Sequence, residues 1–190
     1  MVEPLDEGFR LDRRWYALRD GVERSKEPDL TRLAEILARL QTPYAIIGGI
    51  ALQIHQQEPR TTIDIDVALS SLRDLPRAAL LEAGFRESGR YEHSDNWIGP
   101  EGTPVQFTED PRLAPAVPRA IEVALGGIVL RVLGRIDLLH EKLRSGTDPA
   151  RRRSKRLQDL ADVQALLEQD ATLRNELTAE ERALLDCLPE

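Results

Sequence analysis

Apolar residues recur at helical spacing at Leu30, Leu33, Ile36, Leu37 and Leu40, which predicts a helix opened by Asp29 as N-cap after Pro28. Thr42-Pro43 ends it, because the residue before a proline is pushed out of helical conformation. Tyr44 to Ile47 is a short apolar run of strand length, broken by Gly48-Gly49. A short helix over 50–56 follows, closed by Pro59. The pattern then changes period. Ile63-Asp64-Ile65-Asp66-Val67 alternates apolar and acidic residues, predicting a strand over about 62–69. Ile63, Ile65 and Val67 would share one face of it, and Asp64 and Asp66 the other.

Ser71 is a fitting cap for a helix to about Ala83, stopped by Gly84. Two polar strands, 90–98 and 103–108, are joined by the turn Gly99-Pro100-Glu101-Gly102. A proline-rich loop leads to a second hairpin, 121–125 and 128–133, around Gly126-Gly127. From Arg135 the period returns to helical, with Ile136, Leu138, Leu139 and Leu143 on one stripe. A helix over 151–170 would bury Leu157, Leu160, Val163, Leu166 and Leu167, and Thr178 with Glu181 is a capping box for a last helix. This order implies an α+β fold, a mixed sheet flanked by helices with a helical C-terminal part. The organisation expected is a charged N-terminal arm over 1–27 docked by Trp15, an α/β core over 28–134, and helices over 135–190 packed on that core.

Composition narrows the functional classes. A net charge of −7 argues against indiscriminate nucleic-acid binding through a basic surface. The one cysteine, Cys187, excludes an intramolecular disulfide and a cysteine-rich zinc site. No stretch approaches the length of a membrane span, and the N-terminal residues lack an apolar signal core. A cytoplasmic location is the expectation.

The chemistry-bearing stretch is 48–66. Glycines before a helix let backbone N–H groups approach a ligand, and the helix dipole adds to their attraction for phosphate. A tight strand-to-helix turn without a ligand has the same signature. Two carboxylates at i and i+2 of a strand lie roughly 6.5 to 7 Å apart at Cα and point the same way. That pair is costly without a cation and suits Mg²⁺, which also takes oxygens from a substrate triphosphate. A solvated acidic strand face is the bland account. Gly49 lies fifteen residues before Asp64, which sets a phosphate cradle beside the acids. The conjunction favours a metal–nucleotide site.

Gly48-Gly49-Ile50-Ala51 followed by Arg60-Thr61-Thr62-Ile63-Asp64-Ile65-Asp66 resembles the signature of the DNA polymerase β-type nucleotidyltransferase superfamily. The form is most similar to its minimal bacterial members, the AbiEii-like toxins of abortive-infection and toxin–antitoxin systems. The resemblance extends to Lys142 within Leu138–Leu143 and to the helix carrying Asp159 and Asp162. It implies that Gly48 and Gly49 hold the nucleotide's phosphates and that Asp64 and Asp66 bind one or two Mg²⁺ ions. Arg60 would brace the acidic strand or touch phosphate. Lys142 would neutralise triphosphate charge, and Asp159 would orient it; ordinary helix surface is the alternative for both.

One position departs from the pattern. The superfamily usually supplies a third carboxylate from a later strand, and Gln106 occupies that place. Glutamine neither accepts a proton nor offers an anionic oxygen. Glu109 or Asp110 would replace it only with a shifted strand, and Glu109 would then face the other way. His55, His93 and His140 lack metal-ligand spacing. The cluster Arg151, Arg152, Arg153, Lys155 and Arg156 is either a solvated helix start or a contact for nucleic-acid phosphates. The resemblance implies transfer of NMP from an NTP to a hydroxyl of RNA or protein, with a cognate antitoxin as partner. The alternative is a non-catalytic nucleotide- or partner-binding module that kept the fold.

Overall fold

The computed structural model describes residues 3–58 and 61–187. Two compact units are present, Met1–Gly134 and Arg135–Glu190.

The first unit opens with helix α1, Glu3–Asp20. The N-terminal segment docks through Leu5 and Phe9, which are fully buried, whereas Trp15 is 53% exposed and does not anchor it. Helix α2, Glu27–Arg39, follows the expected stripe, with Leu30, Leu33, Ile36 and Leu37 buried. Its N-cap is Lys26 rather than Asp29. Asp29 is instead buried in the first turn and accepts the backbone amides of Glu101 and Thr103, at 3.1 and 3.2 Å. The chain then enters strand β1, Tyr44–Ile47, and passes directly into helix α3, Gly48–His55.

Strand β2 spans Ile65–Leu69. The segment predicted to lie between Ser71 and Ala83 is split by Pro76: a 3-10 turn at Leu72–Asp74, capped by Ser71, precedes a short helix α4, Arg77–Glu82. Proline lacks an amide donor and disfavours helix at the residue before it, which explains the break. Strands β3 (Arg86–Arg90), β4 (Ser94–Ile98) and β5 (Pro104–Thr108) form a meander, and β6 (Ile121–Leu125) and β7 (Ile128–Val132) a hairpin. Gly126 and Gly127 turn that hairpin with φ of +54° and +94°, as a two-residue primed turn requires.

The seven strands form one mixed sheet in the order β3-β4-β5-β2-β1-β7-β6. The interior strand β1 runs antiparallel to the central strand β2 and parallel to β7, and β2 runs parallel to β5. All four β1 residues are buried, as is a strand covered on both faces. Buried Trp97 and Phe107 meet edge-to-face at 6.5 Å on the β4–β5 side.

The second unit is helical: α5 (Arg135–Thr147), α6 (Arg153–Gln169), α7 (Leu173–Glu176) and α8 (Ala179–Asp186). Thr178 and Glu181 make the reciprocal capping box on α8. The buried face of α6 is rotated from the one expected. Val163 and Leu166 are buried with Asp159 and Asp162, while Leu157 is 56% exposed. The reason is a buried cation on α5, described below.

Candidate functional site

Gly48 and Gly49 form the first turn of α3, and each lies against the acidic segment. Gly48 has φ +63°, a conformation open to glycine at little cost. A Cβ there would overlap Asp66 Oδ2 and lie 3.1 Å from Asp66 Cγ. A Cβ on Gly49 would stand 2.5 Å from Thr62 Oγ1. Thr62 in turn donates to Asp64 Oδ1 at 2.7 Å. The two glycines therefore let the backbone of α3 close onto the acids. The helix N-cap is Ile47, extended and without a side-chain capping bond. Its first-turn amides thus face the same region as the carboxylates, which suits a phosphate.

Asp64 does not sit on the strand. It occupies a bend before β2, and Ile63 is 58% exposed rather than sharing the buried face of Ile65 and Val67. The ladder explains this. On one side β1 ends at Ile47, opposite Asp66; on the other the β5 register begins at Ile65 opposite Val105. Before Ile65 there is no β1 residue left to pair with, and the next β5 position is Pro104, which has no amide to donate. Asp66 remains in register and points to the glycine turn.

Gln106 is the direct partner of Asp66 across the parallel β2–β5 pair, and Asn96 on β4 is the partner of Gln106. Directly opposed residues share a face. The row is therefore one carboxylate followed by two amides, and Asn96 Oδ1 is buried without a hydrogen-bond partner. Glu109 does not replace the missing acid. Its Oε2 accepts the amide of Leu72 at 2.9 Å, and it stands about 10 Å farther along the strand direction than Gln106. Asp110 accepts the amide of Arg112 at 2.9 Å.

Lys26, which carries no sequence signal, belongs to this neighbourhood. Its side chain is 2% exposed and pairs with buried Asp12 of α1. Burial pulls the Lys26 ammonium down from the ordinary lysine range, opposed by Asp12 and by the charge of Asp64. Burial likewise raises Asp12, with Lys26 offsetting part of the effect. His55 is a tie rather than a ligand: its Nε2 donates to the Leu133 carbonyl at 2.7 Å. Arg60 lies outside the described residues.

Lys142 and Asp159 come together in the second unit. Lys142 Nζ lies 2.9 Å from Asp159 Oδ1 and 3.0 Å from Asp162 Oδ2, and Arg151 Nε is 2.9 Å from Asp159 Oδ2. Burial alone would lower Lys142, but Asp162, Glu141 and Asp159 hold its ammonium above the ordinary lysine value. Asp162, to which the resemblance assigns no role, is a second ion-pair partner of the lysine. Lys142 is not a surface residue, being 6% exposed. Of the arginine cluster, Arg151 and Arg156 bond within the unit, whereas Arg152, Arg153 and Lys155 are exposed.

Among the described residues no three His, Cys, Asp or Glu side chains converge as a metal cluster. The donor set of Asp64 and Asp66 nonetheless fits Mg²⁺, because both offer hard anionic oxygens and a bound triphosphate would supply others.

The sheet and its flanking helices have the polymerase β-type nucleotidyltransferase fold. A model of the family described as "Nucleotidyl transferase AbiEii toxin, Type IV TA system" matches residues 32–187, and the chain belongs to that family. A search of curated proteins finds no match. Among solved structures, an antigenic nucleotidyltransferase-like protein from Paracoccidioides brasiliensis is 22% identical, with a TM-score of 0.54 over 83% of this chain and 84% of that one. ANT(2")-Ia in complex with adenylyl-2"-tobramycin is 18% identical, with a TM-score of 0.52 over 82% and 91%. JHP933 from Helicobacter pylori is 15% identical, with a TM-score of 0.51 over 84% and 70%. These likenesses establish the fold. Among the described residues no helix is long and apolar enough to cross a membrane.

Proposed function

We propose that the protein transfers NMP from an NTP to a hydroxyl of a macromolecular acceptor, and that it does so as the toxin of a toxin–antitoxin pair in the cytoplasm. The observation that carries this reading is the contact of Gly48 with Asp66 at a helix N-terminus lacking a side-chain cap. It brings amide donors and carboxylates to one place, as transfer from a polyphosphate requires.

In the reaction the acceptor oxygen forms a bond to the α-phosphorus, the bond to the bridging oxygen breaks, and pyrophosphate leaves. The hydroxyl proton passes to solvent or to a nearby base. Asp64 and Asp66 would hold Mg²⁺, which when bound lowers the pKa of the attacking hydroxyl and offsets charge on the leaving pyrophosphate. The amides of Gly48 and Gly49, with the α3 dipole, bind the β and γ phosphates. Thr62 keeps Asp64 oriented through its hydroxyl. Lys142 is held between Asp159 and Asp162 and neutralises charge within the helical unit.

A second reading is favoured by Gln106: a module that binds nucleotide and an antitoxin or other partner without transfer. Its support is that Gln106 stands in register with Asp66 and that Glu109 is committed to the Leu72 amide. Incubation with each α-labelled NTP, Mg²⁺ and cellular RNA or protein separates the two. Label transfer that disappears in Asp66→Ala supports the enzyme. Retained nucleotide binding with no transfer to any acceptor overturns it in favour of the module.

A further inference from the structure

Strand β6 is an edge of the sheet, and no further strand flanks it among the described residues. Which of its backbone groups face outward follows from β7. Leu133 gives its amide to the Ile46 carbonyl of β1, and Arg131 gives its amide to the Tyr44 hydroxyl, also on β1. Successive residues of a strand turn their N–H and C=O groups to alternate sides. Ile128, Leu130 and Val132 therefore face β6, where they meet Leu125, Val123 and Ile121. The residues between, Glu122 and Ala124, turn their amides and carbonyls outward. Arg131 closes the edge at its start by donating to the carbonyls of Pro118 and Ala120.

The two edges of the sheet differ. Strand β3 carries Arg86, Glu87 and Arg90, and its register shifts between Glu87 and Gly89. Charges and bulges of this kind block pairing with another strand. Strand β6 keeps a regular register from Ile121 to Leu125 and holds no proline or lysine. Its one charged residue, Glu122, is offset by Arg131 of β7 at 3.7 Å. Ile121 shares a face with buried Leu125 yet is 43% exposed.

What complements this edge is the edge itself. Two copies set antiparallel about a two-fold axis through Val123 bring Glu122 opposite Ala124 of the second copy, and Ile121 opposite Leu125. The outward groups of Glu122 and Ala124 then meet, and each such pair exchanges both N–H···O bonds. Val123 with Val123 and Ile121 with Leu125 become non-hydrogen-bonded pairs, in which side chains approach most closely, so Ile121 is covered. No like charges are opposed: each glutamate meets a methyl group and keeps its own arginine. An axis through Glu122 would oppose two carboxylates directly, and one through Ala124 would run Glu122 into the Gly126 turn. A shift by one residue would set outward backbone groups against inward ones.

We propose that β6 pairs with β6 of a second copy of this chain, joining two sheets into one across a two-fold axis. The paired stretch is short, so the dimer is weak, with a Kd on the order of 10 to 100 μM. The pairing concerns this edge alone and does not depend on the transfer reading.

The test is sedimentation equilibrium of the full chain over about 1 to 300 μM, in which wild type should pass from monomer towards dimer. Ala124→Glu opposes two carboxylates across the axis and should weaken the dimer about tenfold. Ala124→Lys faces Glu122 of the second copy and should tighten it about fivefold. Ala124→Pro removes an outward amide without touching a bond to β7, and should abolish the dimer. Circular dichroism checks that each variant folds; if Ala124→Pro does not, the opposite responses of the two charge variants decide. Val123→Cys, with exposed Cys187→Ser, should give a disulfide-linked dimer on mild oxidation, and Val129→Cys should not. A wild type that stays monomeric over the whole range overturns the proposal and leaves the edge to a strand of another protein. A dimer that every Ala124 variant leaves unchanged overturns it by placing the contact elsewhere. One that Ala124→Glu and Ala124→Lys weaken alike overturns the two-fold register.

Discussion

Gly48 occupies the space in which any side chain would meet the carboxylate of Asp66. A Cβ at this position would overlap Asp66 Oδ2, and the backbone there has φ +63°. Gly48→Ala is therefore expected to fail twice, by strain at positive φ and by displacing the acid. The conformational part costs about 1 kcal/mol and the displacement adds a similar amount. The double variant Gly48→Ala/Asp66→Ala removes the overlap and leaves the strain. A denaturant double-mutant cycle should give a coupling of about 1 kcal/mol between the two positions. Additivity within about 0.3 kcal/mol would mean that the turn relaxes away from Asp66 without cost.

Gln106 stands opposite Asp66 on the parallel strand and faces the same side. Gln106→Glu places an anionic oxygen where the amide is, with nearly the same volume. If the third carboxylate limits transfer, this variant should raise the single-turnover rate by about 100-fold, the low end of general-base effects. Gln106→Ala should leave the slow wild-type rate within about threefold, because an amide contributes no base. A Glu variant no faster than wild type at any pH from 6 to about 9 would show that two carboxylates suffice.

The strands and helices that bury a regular stripe were legible from local pattern alone, as at Leu30 to Leu37 and at Tyr44 to Ile47. The glycine pair and the acids were legible because a motif concentrates them within nineteen positions, 48–66. What failed depended on neighbours distant in sequence. The alternation at Ile63 continues that of Ile65 and Val67, but β1 has already turned away at Gly48, so the ladder stops short. The apolar spacing on α6 named Leu157 and passed over Asp162, because only the position of Lys142 makes a carboxylate preferable there. Lys26 and Asp12 sit among many charges in a polar stretch. Nothing local distinguishes the pair that folding buries.

Asp29 is a fully buried carboxylate that joins the start of α2 to the β4–β5 turn. Its oxygens accept the amides of Glu101 and Thr103, and Gly99 leaves room for it, since a Cβ there would collide with the carboxylate. Asp29→Ala leaves two buried amides without acceptors and should destabilise the first unit by about 2–4 kcal/mol. Asp29→Asn keeps the size but turns one acceptor into a donor facing an amide, so it should recover less than half of the loss. Urea unfolding followed at Trp97, which is buried on β4, reads this directly. Hydrogen exchange should show Glu101 and Thr103 amides losing protection first. Equal protection in the Ala variant would mean that another group caps the turn.

Lys142 is the cation on which the packing of α5 against α6 depends. Its Nζ bridges Asp159 and Asp162 at 2.9 and 3.0 Å, all three side chains being at least nine-tenths buried. Lys142→Met keeps the stem and removes the charge that Asp159 and Asp162 share, while Arg151 stays paired with Asp159. Breaking a buried pair from one side costs about 3–5 kcal/mol, so the helical unit should melt well before the first unit by circular dichroism. The pH dependence follows from the direction of the shift. A lysine whose folded pKa lies above its unfolded value of 10.5 contributes its full stabilisation below that value. The contribution is lost as pH rises through the folded pKa, because the neutral amine no longer offsets the carboxylates. Wild-type stability of the helical unit should therefore be flat in this term through neutral pH and decline above 10.5. Lys142→Met should lack that alkaline decline altogether. A wild type and a Met variant that fall in parallel above 10.5 would assign the alkaline loss to other groups and remove Lys142 from the support of this unit.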